Sequence, residues 1–458
     1  MSSTPLPRRV IILWALGTLA STLLISMFGQ LNQQLPLEFK ISPVVLGIAL
    51  MLPRLLDAAI DPWLGHWSDH LRTRWGRRKP FVAVGALVGA VSMALLWRIE
   101  SEWPVVVQYI WLIGLGTLFY TAWGTFQMAH TSLGWELSDD SAERSRIQAW
   151  SGLFQYVGWI LVSLFWWLSL QPVFSSPGVG MRLIAIAFAI IILACACGPL
   201  LGCQERFAQH RPTESHAFWS SIRHILGHRA YRVMLGYRIL SGILGLGATA
   251  TVIYGLFAVC GGDKSQQSLI APITQVFLTL MSMMAIVAIP WVSRRFEKRT
   301  ALIASSALAL VMAILAPLCA VPGQPYLQLL PMFLVMPVKI LMDVQVNAIY
   351  PDICDLDEWE HGERREGLLT AVMAQIGKVE MSLLSGVGGY LLAATGYVGG
   401  GEMPDVDTLH RMAWLAYAPG IGASVALVLI ALRYPLNREF LQRIRTDLDQ
   451  RRKAATTP

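Results

Sequence analysis

Twelve long apolar stretches separated by short polar ones run along the chain, at approximately 10–31, 43–67, 81–98, 104–130, 149–170, 181–202, 233–260, 269–292, 300–320, 326–350, 368–395 and 408–432. Most reach the roughly 20 residues that an α-helix needs to cross about 30 Å of hydrocarbon. A closed barrel would show weaker alternating segments of about ten residues. The pattern predicts an all-α polytopic membrane protein with twelve transmembrane helices.

The long polar segment at 203–232 separates six stretches from six, which predicts a first six-helix bundle over 1–202, a cytoplasmic linker, a second bundle over 233–432 and a basic cytoplasmic tail over 433–458. The halves carry similar punctuation. DPWLGHWSD before RTRWGRRK in the first is echoed by IPWVSRRFEKR in the second, and DDSAERSR by HGERRE. Such pairing suggests duplicated bundles related by an axis along the membrane normal, as in alternating-access carriers. A fold of this kind does not by itself fix a function.

Composition agrees with the pattern: 55% of residues are hydrophobic and 14% charged, against about 25% charged in ordinary soluble domains. With alternate loops assigned to one side, most Lys and Arg gather there, in RR at 8–9, RTRWGRRK at 72–79, ERSR at 143–146, the linker, RRFEKR at 294–299 and the tail. The positive-inside rule then puts both termini in the cytoplasm. The formal charge of +7 follows from this topology and from anionic inner-leaflet lipid, without nucleic acid as a partner. The N-terminal MSSTPLPRRV leads into an apolar run without a small-residue cleavage site and reads as a retained first span. The six cysteines lack zinc or redox spacing and read as packing residues. His66 with His70, and His224 with His228, have no third ligand nearby and read as solvated.

Charges inside the apolar stretches change the picture most. Arg54, Asp57 and Asp61 in RLLDAAIDPWLGHWSD lie at spacings of three and four, on one helical face. An Asp at the centre of a bilayer costs about 2.5–3.5 kcal/mol on insertion scales, so two on one face call for compensation. A bound Na⁺ or a proton on one carboxylate meets that need. A permanent salt-bridge cluster is the competing reading. Arg54 and Lys378, the latter deep in the eleventh stretch, are the candidate charge-balancing partners. Lys339 and Asp343 sit four apart in the tenth, as substrate contacts or as a pair that neutralises itself. Glu380 falls off the face of Lys378, and Arg238 reads as an interfacial anchor.

Tyr120, Trp123 and Gln127 in the fourth stretch, with Gln155 and Trp159 in the fifth, offer aromatic faces beside amides, which suit the mixed surface of a sugar. Asp69 with Arg74, Arg77 and Arg78, Glu143 with Arg144, and Glu363 with Arg364 form mixed-charge clusters at the cytoplasmic ends, fitted to a gate that latches in one conformation. Glycines in GVGG at 386–389 permit close helix contact.

At RLLDAAIDPWLGHWSDHLRTRWGRRKPF, and again at YPDICDLDEWEHGERREG before Lys378, the sequence resembles the glycoside-pentoside-hexuronide:cation symporter family of the major facilitator superfamily. The resemblance spans both halves. It implies the major facilitator fold, cation coupling at Asp57 and Asp61, and a coupling-site lysine at Lys378. Members of that family move sugars, glycosides or uronides with Na⁺, H⁺ or Li⁺, and a related branch handles lipid-like substrates. Melibiose-type members also use acids in the first and fourth helices for sugar hydroxyls. Here the first stretch has no acid and Gly124 stands where the fourth-helix acid would fall, so that mode of galactoside recognition is not expected.

The resulting expectation is a monomeric secondary transporter of the bacterial inner membrane. It would take a sugar, glycoside or sugar acid together with Na⁺ or H⁺, with lipids as its surroundings and no bound cofactor. A carrier of lipid-like solutes and a non-transporting sensor or scaffold are the alternatives. The sequence offers no nucleophile–base constellation or metal motif for an enzyme.

Overall fold

The computed structural model describes residues 6–70, 73–135, 137–138, 140–203, 229–361, 366–400, 402–434, 441–444, 446–448 and 450, without the side chains at 58, 61–70, 135, 141–142, 286–294, 335–336, 361 and 366–375. Most of the expected linker, with His224 and His228, and both Glu363 and Arg364 lie outside this description, as do the side chains of Asp61, His66, Asp69 and His70.

Among the described residues fourteen α-helices are formed: α1 (Arg8–Glu38), α2 (Pro43–His70), α3 (Lys79–Leu96), α4 (Val105–Trp135), α5 (Ser141–Ser163), α6 (Phe165–Ser169), α7 (Pro177–Gly202), α8 (Arg229–Ile243), α9 (Ala248–Tyr254), α10 (Lys264–Arg295), α11 (Lys298–Leu318), α12 (Leu329–His361), α13 (Glu366–Ala394) and α14 (Val406–Leu432). Among the described residues, ten helical stretches are long and apolar enough to cross a membrane. In hydrocarbon a helix is favoured because it satisfies every backbone N–H and C=O within its own segment. Several helices outrun their apolar stretches, and α12 with 33 residues is about 50 Å long at 1.5 Å per residue. The extra turns carry the charged ends beyond the apolar layer.

Two of the expected spans are interrupted. The fifth continues from α5 into α6 across a turn at Leu164, and the seventh is divided into α8 and α9 at 244–247, ending in a π-helical turn at Gly255–Val259. In the seventh, the glycines of SGILGLG supply the break: the Gly245 N–H donates to the Gly242 carbonyl at 2.9 Å, and the Ala248 N–H to that of Gly245 at 3.1 Å. At the start of α7, Ser176 caps the helix by accepting from the Val179 N–H at 3.3 Å, and Pro177 follows at a position with no intrahelical donor duty.

The chain divides into two compact units that are not continuous in sequence. The first contains Met1–Arg211, Gly255–Gln275 and Ser385–Leu409; the second contains Pro212–Tyr254, Val276–Leu384 and His410–Pro458. In the first, α1 packs on α7 and α5, α4 on α3 and α2, and α3 on α7. In the second, α11 packs on α12, and Tyr231, Met234 and Tyr237 of α8 join Met342, Ile349 and Ile353 of α12 in one core. Part of the expected basic tail enters that core: Ile444 and Leu448 are buried in it, and the Trp359 indole N–H donates to the Asp447 carboxylate at 2.6 Å.

Within the first unit α1 and α4 are joined at His130, a buried histidine outside every motif of the sequence. The His130 ring stacks on Trp14 at 4.8 Å and an interplanar angle of 9°, and on Phe126 at 5.7 Å. Its Nε2 lies 2.9 Å from the Trp14 carbonyl, while the Trp14 indole N–H donates to the His130 carbonyl at 3.2 Å. Two glycines make room for this stack. A Cβ on Gly17 would fall 2.4 Å from the His130 ring, and one on Gly134 2.4 Å from the Trp14 ring.

Gly134→Ala is therefore expected to overpack a locked indole and cost about 1–3 kcal/mol, lowering the thermal unfolding temperature of the purified protein. Gly114→Ala is the control: its Cβ meets nothing within 4 Å, and the better helix propensity of Ala leaves stability unchanged or raised by up to about 1 kcal/mol.

Candidate functional site

On α2 the face carrying Arg54 and Asp57 turns toward α4, where Gly116 gives Pro53 close contact. Asp57 is buried, with 1% of its surface exposed. The Arg54 guanidinium carbon sits 5.6 Å from the centroid of the Tyr120 ring, and Tyr120 is near enough to Arg54 and Asp57 to feel the charge of each. The three side chains form one electrostatic group. Asp61 lies one turn further along the same helix.

One turn beyond Tyr120 a polar chain runs from α4 to α1. The Trp123 indole N–H donates to Ser21 Oγ at 3.0 Å, the Ser21 hydroxyl donates to Gln127 Oε1, and Gln127 Nε2 reaches Thr131 Oγ1 at 3.3 Å. Thr18 and Ser151 share a hydrogen bond of 3.0 Å between α1 and α5. Tyr120 also meets Trp123 edge-on at 6.3 Å and Phe28 at 4.7 Å. The structure thus brings Tyr120, Trp123 and Gln127 together and adds Ser21 and Thr18, whose small hydroxyls carry no signal in a sequence read for charges and aromatics. Gln155 is exposed on α5, and Trp159 packs edge-on against Tyr156 at 5.4 Å, so these two do not join the polar chain.

Further along the first unit, the ends of α1 and α2 meet the ends of later helices at close range. The Lys264 ammonium donates to Glu38 Oε2 at 2.8 Å, and the Glu38 side chain is only 4% exposed. Glu38 stands in the last turn of α1, beyond the apolar stretch, which explains why that stretch holds no acid while the helix does. Beside this pair, a Cβ on Gly47 would lie 2.7 Å from the Gly386 carbonyl, and one on Gly389 2.6 Å from the Pro43 carbonyl. The Gly400 N–H donates to the Pro36 carbonyl at 2.9 Å, and Gly400 takes the left-handed conformation with φ +104°. Bare glycine backbones are what permit this contact between α2 and α13.

In the second unit Lys339 donates to both carboxylate oxygens of Asp343, at 2.7 and 2.8 Å. The reading of Arg238 as an interfacial anchor is corrected: its guanidinium lies 3.5 Å from Asp343 Oδ1 and 3.9 Å from Glu380 Oε2. Arg238, partly exposed, pairs there because α8 turns it toward α12 and α13, a tertiary fact that spacing along α8 does not contain. Lys378 is half-buried on α13 in this unit, whereas Asp57 belongs to the first.

Those of the expected gate residues that the structure describes sit at or beside helix ends. Thr73 and Gly76 close a tight turn, with Thr73 Oγ1 donating to the Gly76 carbonyl at 2.6 Å and Gly76 at φ +105°. This turn presents Arg74 exposed and Arg77 and Arg78 half-buried. Glu143 pairs with Arg146 at 3.3 Å, Arg146 also reaches the Leu6 carbonyl at 3.4 Å, and Arg144 donates to the Ser138 carbonyl at 2.8 Å. A further pair, missed in the sequence, joins α11 to α12: Lys298 donates to Asp352 at 2.7 and 2.9 Å and to the Ala348 carbonyl at 2.7 Å.

Long apolar helices with compensated charges and a hydroxyl–amide–aromatic chain among them define a polytopic membrane carrier. The chain belongs to the MFS/sugar transport protein family, which it matches over residues 12–438. It is similar to the isoprimeverose transporter of Lactiplantibacillus pentosus, at 23% identity over 79% of this chain and 74% of that one. It is also similar to the inner membrane symporter YicJ of Escherichia coli, at 21% identity over 90% of this chain and 88% of that one. The nucleoside transporter NupG superposes with a TM-score of 0.65 over 93% of this chain and 99% of its own, at 14% identity, a likeness of fold alone. The protein is an all-α, multi-pass membrane transporter with a major-facilitator-like fold.

Glu38→Gln is expected to leave the Lys264 ammonium without its anion and cost about 1.5–3 kcal/mol, read as a lower unfolding temperature. Combining it with Lys264→Gln should recover part of the loss, because no charge is then stranded.

Proposed function

We propose that this chain is a twelve-span member of the glycoside-pentoside-hexuronide:cation symporter branch and moves a sugar-like solute with Na⁺ or H⁺ by alternating access. Its setting is the bacterial inner membrane, as a monomer surrounded by lipid with both termini in the cytoplasm. The observation that carries the reading is Asp57: a carboxylate buried in the middle of a long apolar helix, grouped with Arg54 and Tyr120, with a second acid one turn away at Asp61.

Two carboxylates against one guanidinium leave a negative charge over, and a monovalent cation or a proton cancels it. Binding of that cation then alters the field at Tyr120, and through Trp123, Ser21 and Gln127 it reaches the groups suited to sugar hydroxyls. This gives coupling a physical route: the solute is held best when the acids are neutralised, and by linkage the cation is held best when the solute is present. Lys378 is the proposed internal substitute for the cation, able to cancel the charge when the site is empty. Asp69 with the RTRWGRR turn, and Glu143 with Arg144, serve as proposed latches that hold one conformation. The name of the isoprimeverose transporter among the relatives supports a sugar-like cargo, and that of the symporter YicJ supports coupling.

In proteoliposomes, uptake of labelled isoprimeverose is measured under separately imposed Na⁺ and H⁺ gradients, alongside a panel of other glycosides. Concentrative uptake with one gradient and equilibration with neither is the expected result. Asp57→Asn and Asp61→Asn should each reduce accumulation to the equilibrated level, and accumulation that survives in both variants removes the acids from the mechanism.

A further inference from the structure

The second unit holds a charge cluster that the coupling scheme above does not use. Arg238 of α8, Lys339 and Asp343 of α12 and Glu380 of α13 stand together near the middles of their helices. The two acids are served unequally. Asp343 receives Lys339 on both oxygens and Arg238 at 3.5 Å. Glu380 has the Arg238 guanidinium at 3.9 Å, while its side chain is 7% exposed against 36% for that of Asp343.

Glu380 reaches this buried position through a gap in α8. Its Oε1 stands 1.5 Å from where a Cβ on Gly242 would be, so no residue but glycine admits the carboxyl there. Gly242 is the last turn of α8 before the break at 244–247, and past the break a Cβ on Gly247 would meet the Ala416 carbonyl of α14 at 2.4 Å, which fixes α9 in place. Tyr231, Met234 and Tyr237 hold α8 in the core. The long side chain of Arg238, 37% exposed, stands within reach of both acids. Among the described residues, Tyr350 and Tyr237 are titratable groups within reach of the same charges, and Lys378 lies two positions from Glu380 on α13.

We propose that Glu380 is a proton-binding site of the second unit, and that Arg238 sets its occupancy by trading between Glu380 and Asp343. With Arg238 shared, two cations face two carboxylates and the cluster is neutral. When Arg238 moves fully onto Asp343, an ionised Glu380 is stranded in a medium that stabilises charge poorly, and its carboxylate takes a proton from water. One O–H bond forms on the carboxyl as one in hydronium breaks to leave water, and nothing is oxidised or reduced. The cluster is then left with a net positive charge that favours an anionic group beside Lys339 and Arg238. Return of Arg238 expels the proton. This site is separate from Asp57 and does not depend on the cation assigned there.

The test uses the full chain in lipid nanodiscs and the proton itself as probe. Infrared difference spectra on acidification follow the carbonyl stretch of protonated carboxyl groups, distinct from the carboxylate bands. Glu380→Gln is expected to remove one carboxyl group from that titration, and Arg238→Gln to keep the band present at more alkaline pH than in the wild type. A Glu380→Gln protein with the full wild-type gain overturns the assignment. Should that variant fail to fold, Arg238→Gln decides alone: a titration superimposable on the wild type removes Arg238 as the partner and the proposal with it.

Discussion

A charge in hydrocarbon is stabilised by its neighbours or not at all, and the arrangement of this protein's helices follows from that constraint. Arg54, Asp57 and Tyr120 share one group across α2 and α4. Lys339, Asp343, Arg238 and Glu380 share another across three helices. Glu38 with Lys264 and Asp352 with Lys298 each place a buried carboxylate against an ammonium. Such pairs add little net stability over apolar side chains of the same shape, because taking two ions out of water is itself costly. They act instead as registry marks: a helix rotated by one residue would strand an ion at far greater cost.

Close approach is the second requirement, since lipid tails are as apolar as leucine and helices must be held by dispersion and hydrogen bonds. Glycine supplies it where a charge or a ring must enter. Gly17 and Gly134 admit the His130–Trp14 stack, Gly47 and Gly389 let α2 and α13 touch along their backbones, and Gly242 opens the slot for Glu380. Electrostatics and packing are therefore one problem here. The residue without a side chain is often the one that makes a charged side chain tolerable.

Much of this was legible in the sequence, for a reason that is itself physical. The bilayer imposes a length and a polarity on every span, so apolar runs mark the helices without regard to tertiary partners. Their ends were less legible, because α1 and α12 continue past the apolar layer and bring Glu38 and Asp352 with them. The break between α8 and α9 was hidden inside a continuous apolar run, although SGILGLG carries its signature in three glycines. Spacing put Lys339 and Asp343 four apart without deciding between a pair and substrate contacts, and it did not reveal the partners of Arg238, which stand on α12 and α13. Ser21 and Thr18 were passed over because a hydroxyl in an apolar helix most often bonds its own backbone; here the one on Ser21 bridges to Trp123 and Gln127 instead.

The burial of Ile444 and Leu448 in the core of the second unit, with Asp447 on Trp359, sets an order of events during biosynthesis. These residues are made after all the membrane helices on which they pack. Until they emerge, the core that holds Tyr231, Ile353 and Leu356 lacks two of its apolar members. Completion of that core is thus a step that follows synthesis of α14. The core of the second unit is complete only once residues made after α14 have joined it.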